Sequence, residues 1–317
     1  MANDLHRRRA FRRHRRAADG LAHGSIQVGG VERTFLVQRG PHTACPLVLM
    51  LHGGGGQGAG TVGLTDMARR GLAAGFATAF PDGLMRGWND GRTGARIKAR
   101  GEADDVAFLL ALIEHLAATG VADGAPAFCC GISNGAFMSD RLARMAPERV
   151  AGIGLVAGTS GVDTLAGGHA SSRPVPAMLF HGTADPIVPY AGGPIGFNRI
   201  GRGARRPGRD AMGGARGTCA SAEEVALDWA RLAGHDARPT VERLAPPGPG
   251  LGVARLTWQG PGGGPVVLHR IEGAGHTWPG GPQYLPSRIV GPVAPGLDAT
   301  GILLSYFQYV RTPPSST

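Results

Sequence analysis

Three polar side chains in this sequence stand where nucleophilic chemistry could be done: Ser133, Asp185 and His276. Ser133 is the apex of Gly131-Ile132-Ser133-Asn134-Gly135, which follows the apolar run Ala127-Phe128-Cys129-Cys130 and precedes an amphipathic helical pattern. A sharp strand-to-helix turn strains the backbone, and a β-carbon two residues to either side of the apex would meet the neighbouring chain. Gly131 and Gly135 answer that need. The turn lifts Ser133 Oγ clear of the sheet, and the next helix sets its N-terminal dipole beside a developing oxyanion. A serine hydroxyl is a weak nucleophile until a base takes its proton, and an imidazole base needs a carboxylate to hold its tautomer. His276, in Gly275-His276-Thr277-Trp278-Pro279-Gly280-Gly281, and Asp185, in His181-Gly182-Thr183-Ala184-Asp185-Pro186, are the candidates for those roles. Glycine is abundant, 54 of 317 residues, so the serine motif acquires meaning only from this company.

An acyl-transfer site also needs donors for the tetrahedral oxyanion. His52-Gly53-Gly54-Gly55-Gly56 ends a continuous apolar strand, and such a loop lets backbone N–H groups approach a ligand closely. Gly54 or Gly55, with Asn134 after the nucleophile, are the expected donors. A phosphate role fits poorly, because no Gly-Lys-Ser/Thr follows, and a dinucleotide fingerprint lacks its acidic partner. Two indoles, Trp88 in Gly87-Trp88-Asn89-Asp90-Gly91-Arg92 and Trp278 after the histidine, are candidate flat substrate-binding walls, though Trp88 reads equally as a loop anchor packed on the domain and Trp278 also as a buttress of the His276 loop.

The elements that must position these residues alternate. Residues 25–28 and 31–37 read as a hairpin; 46–51, 76–80, 126–132, 150–156 and 175–180 read as strands, with helices from 65 to 74, from Asp104 and after Ser133. A helix from Ser221, strands near 240–243, 253–258 and 266–271, and a helix from Asp298 complete the pattern. Strands alternating with helices imply a mostly parallel sheet with helices on both faces. Phe137, Leu142 and Met145 are expected to face inward. Asp104 and Asp105 are expected to serve helix capping. Residues 192–217 are rich in glycine and arginine and read as a mobile excursion over the sheet edge.

The chain is long enough for one large α/β domain, and its 42% hydrophobic fraction suffices for a core. Net charge is +10, nearly all from arginine, and seven arginines lie between Arg7 and Arg16. With no nucleic-acid motif and Phe11 the sole aromatic there, residues 1–23 read as a basic, disordered tail, and neither nucleic acid nor membrane is an expected partner. Residues 24–312 form the expected single catalytic domain, and 313–317 a short tail. No apolar segment of signal-peptide length follows the charges, which points to a cytoplasmic protein. Four cysteines (Cys45, Cys129, Cys130, Cys219) make no dense framework and are expected to be buried free thiols.

The order Ser133, Asp185, His276, each after a strand, is that of α/β-hydrolases. Together with Leu51-His52-Gly53-Gly54-Gly55 and Trp88-Asn89-Asp90-Gly91-Arg92, these motifs resemble the polyhydroxybutyrate depolymerase and feruloyl esterase branch of that superfamily, over roughly residues 24 to 310. The resemblance implies a serine carboxylesterase, without cofactor or metal, acting on short-chain, hydroxyalkanoate or hydroxycinnamate esters as small molecules or oligomers. Two departures stand out. The family's secretion signal has no counterpart, and a cysteine pair common in it is missing from Ala233-Gly234-His235 and Gln259-Gly260-Pro261. The same triad would serve an acyltransferase or a serine peptidase, but no propeller domain or acyl-carrier feature favours either. A non-catalytic binding protein on this fold would not need all three residues.

Overall fold

The apolar runs of the sequence become the centre of a ten-stranded sheet. The structure, a computed structural model, describes residues 18–94, 103–170, 173–196, 216–260 and 263–312. Most of the basic tail, most of the Gly/Arg-rich excursion and the C-terminal tail therefore lie outside the described residues. The strands, in chain order, are β1 (Ala22–Val28), β2 (Val31–Gln38), β3 (Leu47–Leu51), β4 (Ala77–Pro81), β5 (Ala127–Ile132), β6 (Val150–Val156) and β7 (Ala177–Gly182). After the short pair β8 (Gly193–Pro194) and β9 (Thr218–Cys219) come β10 (Thr240–Leu244), β11 (Gly252–Trp258) and β12 (Val266–Glu272). The spatial order is β1-β2-β4-β3-β5-β6-β7-β12-β11-β10. From β4 to β12 every neighbouring pair is parallel, and antiparallel strands close both edges. Strands β3, β4, β5 and β7 are buried at every residue, as a sheet covered on both faces requires.

The helices are α1 (Gly58–Thr65), α2 (Met67–Ala73), α3 (Asp105–Ala118), α4 (Asn134–Met145), α5 (Val162–Ala166), α6 (Ala222–Leu232), α7 (Ser287–Val290) and α8 (Ala299–Arg311). Apolar residues of α3, α4 and α6 pack on one face of the sheet, and those of α1, α2 and α8 on the other. Cys129 and Cys130, adjacent in β5, enter these two opposite clusters, as strand alternation demands. All four cysteines are buried and free. Phe128 of β5 stacks on Phe307 of α8 at 4.5 Å, and burying such a ring is worth roughly 1.5–3 kcal/mol.

Helix starts follow their caps. Asp104 accepts the Ala107 N–H (2.9 Å), Asp298 accepts that of Gly301 (3.1 Å), and Ser221 with Glu224 forms a reciprocal capping box. Three expectations need correction. The helix expected over 65–74 is α2, which starts later, at Met67, because Asp66 sits in the left-handed region (φ 54°); α1, which precedes it, is an additional helix. Met145, at the last turn of α4, is exposed rather than inward. Asp104 alone caps α3: the buried carboxylate of Asp105 instead accepts from Arg33 (2.6 Å) and from the Asn89 N–H (2.6 Å), tying α3 to β2 and to the loop after β4.

Candidate active site

Ser133 occupies the turn its neighbours suggested. Its backbone lies at φ 56°, ψ −122°, a left-handed conformation that a residue with a side chain adopts only under constraint. The constraint is visible. Ser133 N–H donates to Val156 O (2.9 Å), and its carbonyl accepts from Ala136 and Phe137 (2.9 and 3.1 Å) as α4 begins. A β-carbon on Gly131 would stand 2.5 Å from the carbonyl carbon of Gly135, and one on Gly135 would stand 2.3 Å from Leu51 O. Strand β5, helix α4 and the end of β3 thus approach too closely for any residue but glycine.

Asp185 follows β7 and His276 follows β12, on the same carboxyl edge of the parallel sheet as Ser133. The His276 Nδ1–Asp185 Oδ2 distance is 2.7 Å, and both side chains are buried. The other carboxylate oxygen accepts the N–H groups of Ile187 (2.8 Å) and Val188 (2.9 Å). Burial opposes the charge on Asp185, but the imidazoles of His276 and His181 and the Val188 N–H outweigh it and hold its pKa below the usual carboxylate value. An ionised carboxylate accepts only, so the His276 proton sits on Nδ1 and Nε2 keeps the lone pair that could take a proton. The His276 loop is braced by its N–H to Val290 O (2.5 Å) and by Tyr284 Oη donating to His276 O (2.8 Å). Asp185 and His276 are therefore joined directly. No Ser133 Oγ–His276 hydrogen bond is formed, and such bonds are often long in unliganded enzymes.

The glycine loop lies against Ser133. A β-carbon on Gly53 would sit 3.5 Å from Ser133 Cβ. His52 holds the loop in place: its Nε2 accepts the Gly83 N–H (2.9 Å), so its Nδ1 carries the proton donated to Gly53 O (2.8 Å). Gly55 is corrected as an oxyanion donor. It turns at φ 82° and its N–H already donates to Arg86 O (2.7 Å), while Gly56 N–H donates to Gly53 O (2.9 Å). Gly54 remains as the loop's candidate donor, with Asn134, the first residue of α4, as the other candidate.

The two tryptophans are not ligand walls. Trp88 and Trp278 are 0% and 1% exposed. The Trp88 indole donates to His52 O (2.8 Å) and packs against the His52 ring (4.9 Å between centroids). That of Trp278 donates to Thr300 Oγ1 (2.9 Å), which in turn donates to Thr65 O (2.6 Å). Each is a strut with its one polar atom satisfied: Trp88 beneath the glycine loop, Trp278 between the His276 loop and helices α1 and α8.

What the sequence did not disclose is the role of the Asn134 side chain. Its Oδ1 accepts the Trp88 N–H (2.8 Å), and its Nδ2 donates to Trp88 O (3.1 Å) and Asp90 Oδ2 (2.5 Å). Asp90 is paired with Arg92, whose guanidinium lies 3.9 Å over the Phe137 ring. An acidic and a basic residue two apart, in a loop at the sheet's carboxyl edge, was the available signal. His181 is a second unforeseen neighbour: buried, with Nε2 unpartnered, and with its pKa lowered chiefly by burial. Among the described residues, no group of three or more His, Cys, Asp or Glu could hold a metal ion, and no helix is long and apolar enough to cross a membrane.

No family model matches the chain. A protein of Nocardia uniformis subsp. tsuyamanensis named "Putative esterase NocK" is 30% identical over 280 residues, covering 84% of this chain and 76% of that protein. Among solved structures, an acetyl xylan esterase from Aspergillus awamori superposes with a TM-score of 0.55 at 16% identity, covering 81% of this chain and 94% of that one, a likeness of fold. Identity sustained over most of both sequences, on a mostly parallel sheet flanked by helices, makes this chain a member of the esterase-like α/β-hydrolase family.

Proposed function

We propose that this family member is a serine carboxylesterase that works through an acyl-enzyme on Ser133. The observation that carries the reading is the buried Asp185–His276 pair, 2.7 Å apart, on the sheet edge where Ser133 is held in a strained turn. In this mechanism Ser133 Oγ attacks the ester carbonyl while His276 Nε2 takes its proton. Asp185 stabilises the imidazolium that results. The Gly54 and Asn134 N–H groups receive the oxyanion, and losing one such donor typically costs ~2.7–4 kcal/mol in the transition state. Collapse expels the alcohol, protonated by His276, and water then cleaves the acyl-enzyme by the same steps in reverse order.

For substrates we propose short-chain acyl, hydroxyalkanoate and hydroxycinnamate esters, as in the polyhydroxybutyrate depolymerase and feruloyl esterase branch. In support stand the motifs around His52, Trp88, Ser133, Asp185 and His276, which resemble those of that branch. A fluorophosphonate probe should label Ser133 and no other serine. Ser133→Ala should lose the label and keep only the ~10³–10⁴-fold acceleration that binding and oxyanion donors provide without the triad. An ester panel of acetyl, butyryl, 3-hydroxybutyryl and feruloyl groups, with a peptide amide beside it, reads the class. Labelling elsewhere, or full turnover by Ser133→Ala, overturns the assignment; robust peptide cleavage overturns the esterase reading.

A further inference from the structure

Asp90 is a buried carboxylate with no part in the proton relay, and its surroundings are unusual. Its side chain is fully shielded from solvent, and four donor groups converge on it: the Arg92 N–H (3.2 Å), Arg92 Nε (3.0 Å to each oxygen), Arg92 Nη2 (2.5 Å) and Asn134 Nδ2 (2.5 Å). Only an ionised carboxylate can accept from all of them, since an amide or a protonated acid would turn a donor toward one. Burying an ion pair is costly and seldom chosen for stability alone. Here the pair is anchored on three sides: Arg92 stacks on Phe137 of α4, its Nη1 donates to Arg216 O (3.1 Å), and Thr164 Oγ1 donates to Asp90 O (3.4 Å).

The partner of this anchor is the residue directly after the nucleophile. Asn134 Nδ2 is shared between Asp90 and Trp88 O, and its Oδ1 is held by the Trp88 N–H. Trp88 is itself pinned to His52 O, at the root of the glycine loop. Both halves of the proposed oxyanion site, Asn134 on α4 and the loop at Gly54, are thereby fastened to one loop, 88–92. We propose that Asp90, with Arg92, is a positioning residue that holds Asn134 so that its peptide N–H stays aimed at the developing oxyanion. This rests on the esterase reading above.

An interaction realised only when the oxyanion forms changes kcat and leaves KM nearly alone. Asp90→Asn puts an amide where the carboxylate accepted, and kcat on p-nitrophenyl acetate should fall by about 10–100-fold, short of the full loss of a donor, with KM within about 3-fold. A trifluoromethyl ketone, which forms an anionic tetrahedral adduct, should lose affinity in parallel with kcat. Arg92→Lys keeps the charge but not the fork, should fall between parent and Asp90→Asn, and serves if the first variant folds poorly. Assays run well below each variant's melting temperature, checked by circular dichroism. Hydrogen exchange supplies a readout free of turnover: the Asn134 amide should exchange faster in Asp90→Asn while the β5 amides keep their protection. Labelling of Ser133 in the parent separates the two ideas. If labelling fails, the esterase reading falls, and unchanged exchange at Asn134 would sink the clamp as well. If labelling succeeds and Asp90→Asn retains parental kcat, or loses kcat while the ketone binds as before, the positioning role is wrong.

Discussion

Replacing Gly135 by alanine tests whether close approach between α4 and β3 makes this site. Gly135 does not need a positive φ, so the substitution acts by contact alone. The new β-carbon would stand 2.3 Å from Leu51 O and 2.7 Å from His52 O, where distances under 3.0 Å are essentially never seen. Both obstacles are backbone, so no side chain can turn aside. The first turn of α4 and the end of β3 must part by about 0.7 Å (from 2.3 to 3.0 Å). That separates Ser133 and Asn134, which ride on α4, from the glycine loop, which hangs from β3. Overpacking of this kind costs about 1–3 kcal/mol, and a misplacement near 1 Å can cost ~10² in rate. We expect kcat/KM for p-nitrophenyl acetate to fall about 10–100-fold at a temperature where the fold is intact. Gly60→Ala, at an exposed position of α1 where the β-carbon meets nothing within 4 Å, is the control and should keep full activity. A Gly135→Ala enzyme within a factor of two of the parent in kcat/KM, at unchanged Tm, would refute the reasoning.

Two further outcomes are expected. Trp278→Ala should lower stability by roughly 3–5 kcal/mol and reduce turnover of acetyl, butyryl and feruloyl esters alike, because the indole is a buried strut; a changed ranking of acyl groups would restore it as a wall. His269, stacked on Phe180 at 4.4 Å, has its pKa lowered to about 4, by burial first and then by Arg255. Unfolded, it takes up a proton below ~6.5, whereas the fold refuses one until about 4; its contribution is complete above ~6.5 and is lost as pH falls between the two, about 2 kcal/mol by pH 5. Urea unfolding at pH 7 and pH 5 should therefore show a drop that shrinks by about this amount in His269→Leu, and an equal drop in both proteins would contradict the burial argument.

Much of this molecule was legible in one dimension because local rules wrote it. Period-two and period-3.6 patterns marked strands and helices, and capping residues such as Asp104, Ser221 and Asp298 marked helix starts within a residue. The small residues around Ser133 marked the elbow, since only glycine survives where three backbones meet. The order of Ser133, Asp185 and His276 along the chain announced which loops should converge. The break at Asp66 was missed because a left-handed residue leaves little trace when an aspartate adopts it.

Tertiary structure decided whatever depended on which group reached a partner first. An indole beside a candidate histidine reads in sequence as a substrate wall, but Trp88 and Trp278 find carbonyl and hydroxyl acceptors inside the fold, and burying them there satisfies both the ring and its N–H. Glycine loops advertise free N–H groups, yet Gly55 turns its own toward Arg86 O, a choice set by the distant loop after β4. Sequence spacing carries no information about such pairings, because hydrogen bonds between residues 30 to 90 positions apart form only once the sheet has ordered its strands. The Asp90–Asn134 contact, 44 residues apart, belongs to that class. So does Asp185–His276, separated by 91, where chemistry could name the pair but only the adjacency of β7 and β12 could join it.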